Sequence, residues 1–107
     1  MSINHRDPDL LSVPDLDAAI AQEFDLTARA YASDPRAAAE LWLYLVDDKG
    51  WMPVTNPWQV DSPYEVAIWA VRGEKLADPL ATGWGNSREE ALARAALLAD
   101  YAAQTKE

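Results

Sequence analysis

Apolar side chains recur along this chain with two different periods. Leu16, Ile20 and Phe24 fall four residues apart, one narrow helical stripe behind the start signal Ser12-x-x-Asp15, with Pro14 in the first turn. Asp34-Pro35 opens a second helix, expected to run to about residue 48. It carries Ala38, Leu41, Trp42 and Leu45 on one face and Ala39, Leu43 and Val46 on another, which predicts burial on more than one side. Lys49-Gly50 ends it, a cation near the negative helix end and a glycine for the left-handed turn. From Trp51 the period becomes two. Residues 51–54 read as a strand that Pro53 confines to an edge or a strand start. Residues 64–72 form the best strand, with Tyr64, Val66, Ile68 and Ala70 alternating against Glu65, Ala67, Trp69 and Val71. Both sets are largely apolar, which predicts a central strand. A hairpin turn over residues 72–75 and a third strand over about 80–84 follow. Ser87-x-x-Glu90 then caps a last helix, and Leu92, Ala95, Ala96, Ala99 and Ala102 give it a small-residue face that can lie close against a sheet.

The order is helix, helix, three strands, helix. It predicts an α+β fold, a small antiparallel sheet of about three strands packed by N-terminal and C-terminal helices. Residues 1–11 mix Asn, Asp, Pro and Arg without periodicity and are expected as a flexible arm; residues 12–107 form a single domain. Half of the chain is hydrophobic and a quarter charged, a composition that excludes a disordered acidic tail. The absence of cysteine removes disulfides, thiolate zinc sites and cysteine nucleophiles together. Apolar runs are too short for a membrane span and no basic segment precedes one, so a cytoplasmic protein is expected.

Eighteen acidic residues against nine basic ones leave a net charge of -9. The first 34 residues carry seven acids (Asp7, Asp9, Asp15, Asp17, Glu23, Asp25 and Asp34) against Arg6 and Arg29, and so hold five of the nine excess charges. Direct nucleic-acid binding requires a field of the opposite sign. Solubility or a partner protein with a basic surface fits this charge.

No residue pattern points to catalysis, a metal or a cofactor. His5 stands alone in the polar arm. Asp7-x-Asp9, Asp15-x-Asp17 and Asp47-Asp48 lack the spacing of a ligand set, and Glu89-Glu90 is accounted for by the helix N-terminus. Gly83-x-Gly85 before a helix could cradle an anion but lacks the third glycine, has no basic residue but Arg88 near it, and reads as a strand-to-helix turn. The tryptophans are more informative. Trp51, Trp58, Trp69 and Trp84 all fall within the sheet region, and Trp42 and Trp69 suit a core. Trp58, framed by prolines and close in sequence to Tyr64, has three readings: core ring, protein-binding anchor or base-stacking platform. Trp58 and Tyr64 with the acids Asp7, Asp9, Asp15 and Asp17 are therefore the candidate protein-binding residues.

Four pieces stand in order along the chain: residues 16–21, then Tyr31-Ala32-Ser33-Asp34 leading into 37–42, then Lys49-Gly50-Trp51, and finally Ser87-Arg88-Glu89-Glu90-Ala91-Leu92 continuing through 94–99. Together they resemble the phage ABA-sandwich domain family of small phage and prophage proteins. The resemblance implies a phage-related origin and α-β-α layering, and it transfers no catalytic residue. On that basis the expected function is that of a phage- or prophage-derived accessory protein in the bacterial host cytoplasm. It would be a non-enzymatic protein-binding module, such as an anti-CRISPR-like inhibitor of host defence that occupies a basic nucleic-acid-binding surface. The alternatives are a nucleotide-binding sink that stacks bases on Trp with Arg72 or Arg88, and a structural phage assembly factor.

Overall fold

The computed structural model describes residues 7–55, 59, 61, 63–70 and 79–105. Each helix begins where its cap residue stands. Ser12 Oγ accepts from the Asp15 N–H at 3.4 Å and starts α1 (Val13–Glu23). Asp34 Oδ1 accepts from the Arg36 N–H at 3.2 Å and starts α2 (Pro35–Tyr44). Ser87 Oγ accepts from the Glu90 N–H at 3.1 Å and starts α3 (Arg88–Thr105). The α-helix expected up to residue 48 instead passes at Leu45 into a π-helical turn, Leu45–Lys49, closed by Gly50 at φ 70°. Lys49 then lies 5.6 Å from the ring centroids of both Phe24 and Trp51 and pairs with Asp100 at 3.6 Å.

Strands β1 (Trp51–Thr55), β2 (Tyr64–Ala70) and β3 (Ala81–Gly85) form one antiparallel sheet in the order β1-β2-β3. β2 is central, as its doubly apolar pattern predicts. Pro53 sits on the edge strand opposite Ile68, where a missing N–H costs least. The turn expected at 72–75 lies outside the described residues.

On the inner face Trp51, Pro53, Val66, Ile68, Gly83 and Gly85 are all buried beneath the helices. α3 lies directly on β2 and β3, and the glycines permit it. A Cβ on Gly83 would stand 2.3 Å from the Ala95 nitrogen, and one on Gly85 would stand 2.8 Å from the Ala91 nitrogen. Ala91, Leu92, Ala93, Ala95, Ala96, Leu97 and Ala99 are buried around nearly the whole circumference of α3, which makes it the central helix. α1 packs on α3 through the stripe of Leu16 and Ile20, and α2 contributes Leu41 and Leu45 to the same core. No described helix covers the outer face of the sheet. Among the described residues the helices therefore lie on one side of the sheet, where the α-β-α layering implied by the family resemblance would place a helix on each.

Candidate functional site

The uncovered face follows from strand alternation. With residues 51, 53, 66, 68, 83 and 85 inward, Met52, Val54, Glu65, Ala67, Trp69, Thr82 and Trp84 point outward. The register sets Met52 opposite Trp69, Val54 opposite Ala67, Ala67 opposite Thr82, and Glu65 opposite Trp84. Met52 is 38% exposed, Val54 47% and Trp84 47%, a concentration of large apolar side chains on one small sheet. Trp69, expected in the core, stands half-buried on this outer side.

One residue that the sequence did not single out holds the Trp84 backbone in place. Arg94 on α3 donates from Nη1 to the Trp84 carbonyl at 3.0 Å, from Nε to the Pro8 carbonyl at 2.9 Å and from Nη2 to the Leu11 carbonyl at 3.0 Å. It is also ion-paired with the buried carboxylate of Glu90, one helical turn earlier. Residues 7–11 belong to the stretch expected as an arm, and here Arg94 docks them. Pro8 and Leu11 are buried, and Asp7 caps the 3-10 turn Pro8–Leu10. The sequence signal available was an Arg four residues after a Glu; two of its three carbonyl partners, Pro8 and Leu11, lie far along the chain.

The other sequence candidates are not gathered on this face. Tyr64 points inward at the start of β2, and the Arg88 guanidinium lies 4.8 Å from its ring centroid. Asp7 Oδ1 accepts from the Asp9 N–H at 3.0 Å, so these two shape the 3-10 turn. Asp15 occupies the first turn of α1. Asp17 Oδ1 accepts from the Ala32 N–H at 2.8 Å and ties α1 to the segment before α2. Trp58 and His5 lie outside the described residues.

A concavity lies on the helical side, between α2 and the start of α3. Its volume is about 500 Å³, and Trp42, Leu43, Val66 and Leu92 form much of its wall. Trp42, expected as a core ring, is half-buried beside this groove. The charged residues in the wall are Arg88 and Glu89. Among the described residues no cluster of three or more acids and histidines is placed to hold a metal, and no helix is long and apolar enough to cross a membrane. Two tyrosines have perturbed ionisation. Burial, with Glu40 nearby, pushes the Tyr31 hydroxyl above the usual tyrosine range, and burial with Glu23 and Asp100 does the same for Tyr101. Comparison of the chain with family models, curated proteins and solved structures returns no match.

Proposed function

We propose that the protein is a non-enzymatic protein-binding module that docks the outer face of its sheet onto a partner with a basic surface. The observation that carries this reading is the outward set Met52, Val54 and Trp84, exposed on a sheet face that no described helix covers, with Met52 opposite Trp69 at one end and Trp84 opposite Glu65 at the other. Large apolar side chains left exposed on one face point to an interaction site, and tryptophan is among the residues most enriched in interface hot spots. Arg94 anchors the backbone carbonyl of Trp84, so this segment loses little freedom on docking. The net charge of -9 favours a basic partner and disfavours phosphate backbones. The resemblance to phage proteins supports a host target, with an anti-CRISPR-like inhibitor covering a basic nucleic-acid-binding surface as the form that suits the charge best.

The test compares tagged wild-type protein with Trp84→Ala in capture from bacterial lysate at low and high salt, with sedimentation of each protein alone. The reading expects a bound protein of basic surface, weakened by salt because screening sets in beyond about 10 Å at 0.1 M, and lost in the variant. Equal capture by both proteins refutes the docking face. A dimer of the chain that Trp84→Ala dissociates would give the face to a second copy and refute the basic partner.

A further inference from the structure

The groove on the helical side takes no part in docking by the outer face, and its walls have a distinct chemistry. We propose that it binds a free amino acid with a large apolar side chain, recognised through both its ammonium and its carboxylate. The volume of about 500 Å³ falls within the roughly 300–1,000 Å³ of small-molecule sites. Trp42, Val66 and Leu92 offer an apolar bed for a ring or branched side chain. Among the described residues of the wall there is one cation, Arg88, and one anion, Glu89, adjacent in sequence on the first turn of α3.

This pairing selects the ligand class. A simple carboxylate attracted to Arg88 meets Glu89, and a simple amine attracted to Glu89 meets Arg88. A nucleotide brings several negative charges to a site with no net charge. A zwitterion satisfies both groups. Arg88 is also held in place before any ligand arrives. Its guanidinium lies 4.8 Å from the Tyr64 ring centroid and donates from Nη2 to the Gln59 carbonyl at 2.6 Å. The Tyr64 ring and the Gln59 carbonyl fix where the planar fork stands, and a guanidinium has further donors in that plane with which to receive a carboxylate.

The test titrates the full chain, labelled with nitrogen-15, with L-phenylalanine and three analogues: 3-phenylpropionate, 2-phenylethylamine and N-acetyl-L-phenylalaninamide. The expected result is saturable shifts of the Trp42 indole and Leu92 amide signals with L-phenylalanine, and binding at least about tenfold weaker for each analogue, a tenfold change corresponding to the loss of a modest charge pairing. Glu89→Gln should weaken L-phenylalanine binding while leaving 3-phenylpropionate equal or tighter, a crossover that a general loss of structure does not produce. Absence of saturable shifts with L-phenylalanine overturns the proposal. Binding of the doubly blocked amide as tight as that of L-phenylalanine also overturns it, because the groove would then read a side chain within a peptide. Equal binding of 3-phenylpropionate reduces the groove to an anion site and overturns it as well.

Discussion

Along β3 the inward positions hold Ala81, Gly83 and Gly85, whereas the outward positions hold Thr82 and Trp84. The side that faces a helix has thus given up side-chain volume, and the side that faces no described helix carries an indole. On the inner side small residues let the α3 backbone approach the strand until no Cβ fits between them. Close packing, with its dispersion contacts, is gained there from backbone itself. On the outer side the Trp84 indole stands partly in water, forgoing part of the roughly 1.5–3 kcal/mol that full burial of a large apolar side chain supplies. One face is organised for folding, and the other retains exposed apolar area.

The sharpest way to break this contrast is Arg94→Ala. It leaves the Glu90 carboxylate buried without its ion-pair partner and removes the donor from three backbone carbonyls. A loss of about 3–5 kcal/mol is expected in urea unfolding, as for a broken buried pair. Arg94→Lys should recover little of it, because one ammonium does not reproduce the planar fork. On the inner face Ile68→Ala should cost about 2–5 kcal/mol, since the side chain is fully buried. Gly83→Ala should cost about 1–3 kcal/mol through overpacking. A variant as stable as wild type would show that α3 does not lie on the strand at that point.

The outer face is expected to behave in the opposite way. Trp84→Ala should change stability by no more than about 0.5 kcal/mol, the range of surface substitutions, while weakening partner binding by about 2 kcal/mol or more. Destabilisation on the scale of Ile68→Ala would erase the distinction between the faces. The smallest effect lies away from the sheet. Tyr31 is buried with its hydroxyl donating to the Thr27 carbonyl, and its pKa in the folded state is raised above 10.0. The folded state therefore holds this proton more tightly than the unfolded chain. Stability should be full below about pH 10 and fall as pH rises through the folded value. Tyr31→Phe should flatten part of that alkaline decline, with Tyr101 supplying more of it. Thermal melts that stay level into strong alkali would contradict both assignments.

Much of the fold was legible because its signals are short-ranged. Ser12, Asp34 and Ser87 cap their helices two or three residues away, and Gly50 takes the left-handed turn beside the last helical residue. The doubly apolar pattern of β2 correctly placed it in the middle of the sheet, and Pro53 correctly pointed to an edge. The candidate site was legible only in part. The acidic cluster was visible as charge, yet Asp7 and Asp17 proved to be accepting backbone N–H groups. Tyr64 was grouped with Trp58 by proximity in sequence, while its register turns it inward beneath Arg88. Trp84 was readable in principle, because two glycines flanking it on a strand leave it alone on the opposite face.

The sequence by itself determined the order of elements, their caps, the central strand and the sign of the surface charge. These follow from backbone sterics, side-chain period and composition, all of which act within a few residues or need no geometry. The tertiary structure alone decided which sheet face is covered, that Arg94 reaches Pro8 across 86 positions of chain, and that Arg88 and Glu89 meet Trp42 around one groove. Apolar residues on both sides of a strand state only that each side has area to bury. Which side the helices bury depends on where α3 can approach, and that is set by the missing side chains of Gly83 and Gly85 acting together with a helix that begins only after them in the chain.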